Sequence, residues 1–278
     1  MGRVAFLFAG QGAQVPGMAG DVKDLPKVKK LFDLAEAIKP GVVDKMLSGT
    51  QEELNRTLLT QPTMFLADLA YAYAKEEEIG APDCVCGFSV GEVPALCFAG
   101  VLSEEDAFRA IIRRAELMDA YTERVKGCMI AAVKLTADKV ESLCDGVNPH
   151  PANYNGALQT VVACRAEAEE EFTAKVKEAG GRAMKLRVSG MFHCPELQPE
   201  SQEFEKFLRT LTMNAPRMDV FANLTAKPYE GDFAATLAKQ MCSPVRFTET
   251  VANMKARGVE EFVEVGPGKV LTGLVQRG

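Results

Sequence analysis

The chain has 278 residues, 47% of them hydrophobic and 25% charged, with a net charge of -6 and only two histidines. That length fits one large domain, or a large one carrying a small one, with a sizeable core, and the composition excludes a disordered chain. An acidic balance argues against a nucleic-acid partner, and no apolar run reaches the ~18 residues of a membrane span, so neither nucleic acid nor a membrane is expected.

The N-terminus enters an apolar segment without a signal-peptide layout, which predicts a cytoplasmic chain or a mature one. Residues 3–9, RVAFLFA, read as a strand closed by Gly10-Gln11-Gly12. Residues 84–89, CVCGFS, read as a second strand. It runs into Gly87-Phe88-Ser89-Val90-Gly91, a G-x-S-x-G pattern. In that pattern a tight strand-to-helix turn lifts the serine hydroxyl clear of its backbone. The competing reading is a glycine-rich loop with an incidental serine. The eight cysteines are dispersed and Cys84-x-Cys86 falls in the second strand, which predicts reduced thiols used as small apolar residues and no metal site.

Residues 103–125 form a helix capped by Ser103. At 100° per residue from Ile111, Ala107, Met118, Ala115 and Phe108 define its apolar face; Arg114 falls on the flank at about 300° and Arg113 outside at about 200°. A half-buried Arg114 needs an anion, either a structural acid or a substrate carboxylate, and the helix alone favours the structural acid.

Between about Gly127 and Val188 the order is strand (127–135), helix (136–144), strands (151–155 and 159–164), helix (165–181) and strand (182–188). This is β-α-β-β-α-β, the ferredoxin-like arrangement. The expected architecture is α/β: a hydrolase-like parallel-sheet main domain, residues 1–126 and 189–278, with residues 127–188 as an inserted ferredoxin-like subdomain. The segment 260–268, EEFVEVGPG, supplies a third glycine-closed strand of the main sheet. Ligands of open α/β sheets bind at the carboxyl ends of strands, where these glycine turns fall.

A serine nucleophile needs a base, and the chain offers His150 or His193. His150, between two prolines, reads as a structural residue of a surface loop; His193, where the chain returns to the main domain, is the candidate base. An α/β-hydrolase would place an acid between serine and histidine, following a main-sheet strand. None is evident, and the histidine stands too early in the chain, so a lipase or esterase is disfavoured.

Six motifs together, FAGQGAQ (8–14), GFSVGE (87–92), IIRRAELM (111–118), VSGMFHC (188–194), LAKQMCSPVRF (237–247) and EVGPGKVLTGL (264–274), identify a resemblance. The chain resembles the malonyl-CoA:acyl carrier protein transacylases of type II fatty acid synthesis, with acyltransferases of polyketide synthesis close by. The resemblance implies Ser89 as nucleophile and His193 as base. It implies Gln11 and Val90 as backbone donors of the oxyanion hole, Arg114 as partner of the malonyl carboxylate, and Gln240 as acceptor of the His193 ring N–H. A neutral glutamine in place of a carboxylate makes the imidazole a milder base, so Gln240→Glu is expected to raise hydrolysis relative to transfer. Phe88 departs from the G-H-S-x-G form of many members. The implied partners are malonyl-CoA and acyl carrier protein, with no cofactor beyond the phosphopantetheine carried by that partner, and a monomer is expected. Lys185 and Arg187, on one face of a strand near His193, are candidates for docking the acidic carrier; a solvated strand face is the alternative. Rival functions are a serine thioesterase, which would release free malonate, and a non-catalytic carrier-binding module, which would form no acyl-enzyme.

Overall fold

The protein is described by a computed structural model covering residues 2–145, 148–186 and 188–277. Its fold is α/β, with one parallel and one antiparallel four-stranded sheet. The strands are β1 (Arg3–Phe8), β2 (Cys84–Gly87), β3 (Gly127–Val133), β4 (His150–Gly156), β5 (Gln159–Arg165), β6 (Arg182–Lys185), β7 (Asp219–Phe221) and β8 (Val259–Val265).

The parallel sheet runs β7-β2-β1-β8. Strand side chains alternate between faces, and the central strands are covered on both, so β1 from Val4 onward and β2 are apolar throughout, whereas the edge strand β8 carries Glu260, Glu261 and Glu264. Phe6, Phe8, Val85 and Val220 join the large core, packed with Phe65 and Phe98 from the helices Thr57–Ile79 and Glu92–Phe98. Ala5, Leu7, Cys84, Cys86 and Phe221 face the other way, onto Phe247, Met254 and Leu271. The expected strands at 3–9, 84–89 and 260–268 appear as the shorter β1, β2 and β8, with β2 ending at Gly87 and β8 at Val265, and they are parallel where they pair. The fourth, β7, has three residues and no readable period. All eight cysteines are free.

The antiparallel sheet has the order β4-β5-β3-β6, the ferredoxin-like arrangement of a β-α-β-β-α-β chain. Its faces also divide by parity. Cys128, Ile130, Ala132, Val162 and Cys164 pack beneath Val140, Phe172 and Val176 of the helices Ala137–Ser142 and Glu169–Glu178. Met129, Ala131, Val161 and Ala163 turn to the main core. Strand β4 is tied to the main body by Val245, whose N–H donates to Ala152 O at 2.8 Å and whose carbonyl accepts from Tyr154 N at 2.9 Å. The second sheet thereby becomes one wall of a cleft over the carboxyl ends of β1 and β2. Two expectations change: His150 begins β4, paired with Ala163, rather than standing in a loop, and the last strand closes at Lys185 instead of running to 188.

Candidate active site

Strand β2 ends in a turn that only glycine permits at two places. A Cβ on Gly87 would lie 1.9 Å from the Gly91 carbonyl carbon, and one on Gly91 would lie 2.4 Å from Phe8 O. With both absent, the chain reverses through a single 3-10 turn, Ser89–Gly91, into the helix Glu92–Phe98. Ser89 is held at φ +54° and His193 at φ +58°, left-handed conformations that a non-glycine residue adopts only when its surroundings over-determine it. Asn223 braces the elbow: its Oδ1 accepts from Ser89 N at 2.7 Å and its Nδ2 donates to Gly87 O at 2.6 Å.

His193 stands 2.6 Å from Ser89 Oγ through Nε2, and its Nδ1 lies 2.9 Å from the main-chain carbonyl of Gln240. A carbonyl only accepts, so Nδ1 carries the proton and Nε2 is free to take the Ser89 hydroxyl proton. Burial, with the Arg114 charge adding to it, lowers the His193 pKa to about 4 against the pull of the Gln240 carbonyl, so the ring is a neutral base at neutral pH.

Gln240 therefore meets the imidazole through its backbone. Its side chain points elsewhere: Nε2 donates to Ser89 O at 2.8 Å and to Glu92 Oε2 at 2.7 Å, and Oε1 accepts from Arg114 Nη2 at 3.0 Å. This corrects the expected Gln240→Glu effect, since that substitution would set no carboxylate against His193.

Arg114 is 1% exposed, more deeply buried than its place on the helix flank implied. Its Nη1 donates to Gln61 Oε1 at 2.8 Å and its Nη2 approaches Ser89 Oγ at 3.3 Å, while Nε has no partner among the described residues. Burial lowers its pKa only to about 10, Glu92 opposing the shift, so the guanidinium stays charged. Among the described residues no carboxylate comes within 4.0 Å of it. Among the described residues the acid that acts on it is Glu92, which reaches it only through the Gln240 amide and not by direct contact. Arg113, by contrast, lies at the surface, paired with Glu116.

The cleft above these groups encloses about 540 Å³ and is lined by Gln11, Ser89 and His193, with Met129, Asn153 and Asn155 from the second sheet. Gln11 Nε2, Asn153 Oδ1 and Asn155 Oδ1 are buried without a partner among the described residues. Val90 follows Ser89 in the 3-10 turn and is itself buried. Phe88 also faces the cleft and packs edge-on against Phe247 at 5.4 Å. Lys185 is exposed and paired with Glu169 at 2.7 Å; Arg187 lies outside the described residues. Among the described residues no cluster of three His, Cys, Asp or Glu side chains is placed to hold a metal, and no helix is long and apolar enough to cross a membrane.

Sequence reasoning passed over Gln61, Asn153, Asn155, Asn223 and Glu92. Only Glu92 left a local signal: an acid opening the otherwise apolar helix EVPALCF.

The Ser89 hydroxyl thus lies within reach of a neutral imidazole and beside a fixed cation, an arrangement suited to acyl transfer. Comparison with known proteins agrees. The acyl transferase domain model matches residues 5–278. The malonyl CoA-acyl carrier protein transacylase of Escherichia coli K12 is 36% identical over all of this chain and 93% of its own length. The transacylase of that name from Bacillus subtilis is 33% identical over all of this chain and 90% of its own. A malonyl-transacylase solved with a type II polyketide acyl carrier protein superposes with a TM-score of 0.94 at 33% identity, covering 99% of this chain and 92% of that one. This chain belongs to the acyl transferase domain family.

Proposed function

We propose that this protein transfers the malonyl group of malonyl-CoA to the phosphopantetheine thiol of an acyl carrier protein, through a malonyl-Ser89 intermediate. The observation that carries this reading is the buried Arg114 guanidinium, 3.3 Å from Ser89 Oγ and, among the described residues, touched only by neutral acceptors. An acyl group ending in a carboxylate supplies an anion in direct contact, by two parallel N–H···O bonds.

In the first half-reaction His193 Nε2 takes the Ser89 proton as Oγ bonds to the thioester carbon. Backbone N–H groups of Gln11 and Val90 stabilise the oxyanion, the C–S bond breaks, and the coenzyme A thiolate leaves with the proton from His193. In the second, the carrier thiol attacks malonyl-Ser89 with the same proton route reversed. The unpartnered Asn153 and Asn155 oxygens are acceptors for amide N–H groups of a pantetheine arm lying in the cleft. His193 is held by a neutral carbonyl rather than a carboxylate, which favours a readily deprotonated thiol over water as second acceptor.

The same reading divides the chain into a main acyltransferase domain, 1–126 with 189–278, and a ferredoxin-like subdomain, 127–188. It places the protein in the cytoplasm as a monomer without a cofactor of its own, and assigns Lys185 and Arg187 to the carrier-docking face. Incubation with malonyl-CoA and a phosphopantetheinylated carrier should yield malonyl carrier protein. Free malonate as the main product would instead make the protein a thioesterase. A panel of carriers from fatty acid and polyketide assembly separates the two pathways.

A further inference from the structure

Glu92 opens the helix Glu92–Phe98 with its carboxylate fully buried beneath the elbow. Three donors converge on it: Tyr229 Oη at 2.6 Å and Asn223 N at 3.2 Å on Oε1, and Gln240 Nε2 at 2.7 Å on Oε2. The same Gln240 nitrogen also donates to Ser89 O at 2.8 Å, so both amide hydrogens are used and the amide oxygen is left facing Arg114 at 3.0 Å. Turning the amide round would set its oxygen against the carboxylate and its N–H groups against the guanidinium.

We propose that Glu92 is a positioning residue for recognition of the anionic acyl group: it locks the Gln240 amide so that Arg114 meets a neutral oxygen, and it balances the guanidinium charge without occupying its donors. The inference rests on the malonyl reading above. A carboxylate in direct contact with Arg114 would fill the fork that the substrate needs, whereas no carboxylate at all would leave a buried cation uncompensated. Placing the anion one side chain away meets both demands. The other ionisable groups around Glu92 are Arg114 from the helix Glu104–Arg124, Tyr229 and Cys86.

The test is Glu92→Gln in the intact protein, assayed at pH 8 where the carboxyl, pushed up to about 7 by burial, is ionised; the substitution keeps the shape and removes the charge. Its new amide nitrogen must face a donor, either Gln240 Nε2 or Asn223 N, and turning Gln240 to relieve the first brings N–H groups against Arg114. The ratio of kcat/KM for malonyl-CoA to that for acetyl-CoA should fall about tenfold or more, chiefly through KM for malonyl-CoA. A residue that merely supported the elbow would lower both donors by one factor, and that result, or an unchanged ratio, overturns the inference. Gln240→Glu is the second variant, since it puts an anion in direct contact with Arg114 and leaves the main-chain carbonyl on His193. The selectivity ratio should fall there too; an unchanged ratio would show that an anion can sit directly on Arg114 without cost, which overturns the inference even if Glu92→Gln does not fold. Wild-type protein showing no preference for malonyl-CoA would reject the functional reading and this inference with it; a selective wild type with equally selective variants rejects the inference alone.

Discussion

Removing Arg114 is the sharpest perturbation of selectivity. In Arg114→Ala the Oε1 atoms of Gln61 and Gln240 lose their donor at 2.8 and 3.0 Å, and Ser89 Oγ loses a 3.3 Å contact. Each orphaned buried acceptor costs about 1–3 kcal/mol unless solvated, and a cavity the size of a guanidinium admits the water that solvates both. The larger consequence falls on the acyl group. A desolvated carboxylate that loses its charged partner costs about 2–5 kcal/mol, which is roughly 30-fold to over 1,000-fold in malonyl transfer at 1.4 kcal/mol per decade. Acetyl-CoA carries no carboxylate, so the malonyl-to-acetyl ratio of kcat/KM should collapse by about that same factor. Arg114→Lys should recover part of it, an ammonium restoring charge without the planar fork. Arg113→Ala, at the exposed ion pair with Glu116, is the control. The assay is initial-rate transfer from each donor to a phosphopantetheinylated carrier, beside a thermal midpoint for each variant. If Arg114→Ala lowered both donors equally and the midpoint fell, Arg114 would be a structural cation and the basis of selectivity would lie elsewhere.

His193→Ala should cut transfer by ~100-fold or more, as expected for loss of a general base, whereas His150→Ala should leave it nearly intact, because His150 sits at the start of β4 and does not line the cleft. Equal losses would reject the assignment of the base. Burial pushes the Glu92 carboxyl up from 4.5 to about 7. The folded protein therefore holds that proton more tightly than the unfolded chain, and the stability this contributes is present below pH 4.5 and lost as pH rises through about 7. Glu92→Gln should accordingly gain stability relative to wild type as pH rises from about 4.5 to about 7 and level off above it, read by denaturant midpoints; a difference independent of pH would contradict the shift.

The parts of the site written in local backbone were legible in the sequence. Gly87 and Gly91 flank Ser89 because the turn forbids a Cβ at both, a constraint contained in five residues. The central strands β1 and β2 carry their two-sided burial as apolar runs. Arg114 was half legible: helix geometry gave its flank position, but its burial depends on Gln61 and Gln240, which are 53 and 126 residues away. Glu92 and Asn223 meet across 131 residues, and no period or spacing foretells such a contact. The same distance hid the division of labour in Gln240, whose main chain serves His193 while its side chain serves Arg114. Strand β7 escaped because three residues are too few to alternate visibly, and its pairing with β2 supplies what its own sequence does not.

The central claim is that Ser89 carries the malonyl group between two thiols. Intact-protein mass spectrometry after brief incubation with malonyl-CoA tests it most directly. Wild-type protein should gain the mass of one malonyl group, located on Ser89 by peptide mapping and lost on addition of phosphopantetheinylated carrier; Ser89→Ala should gain none. An adduct mapped to one of the eight cysteines, or one that persists in Ser89→Ala, would contradict the account.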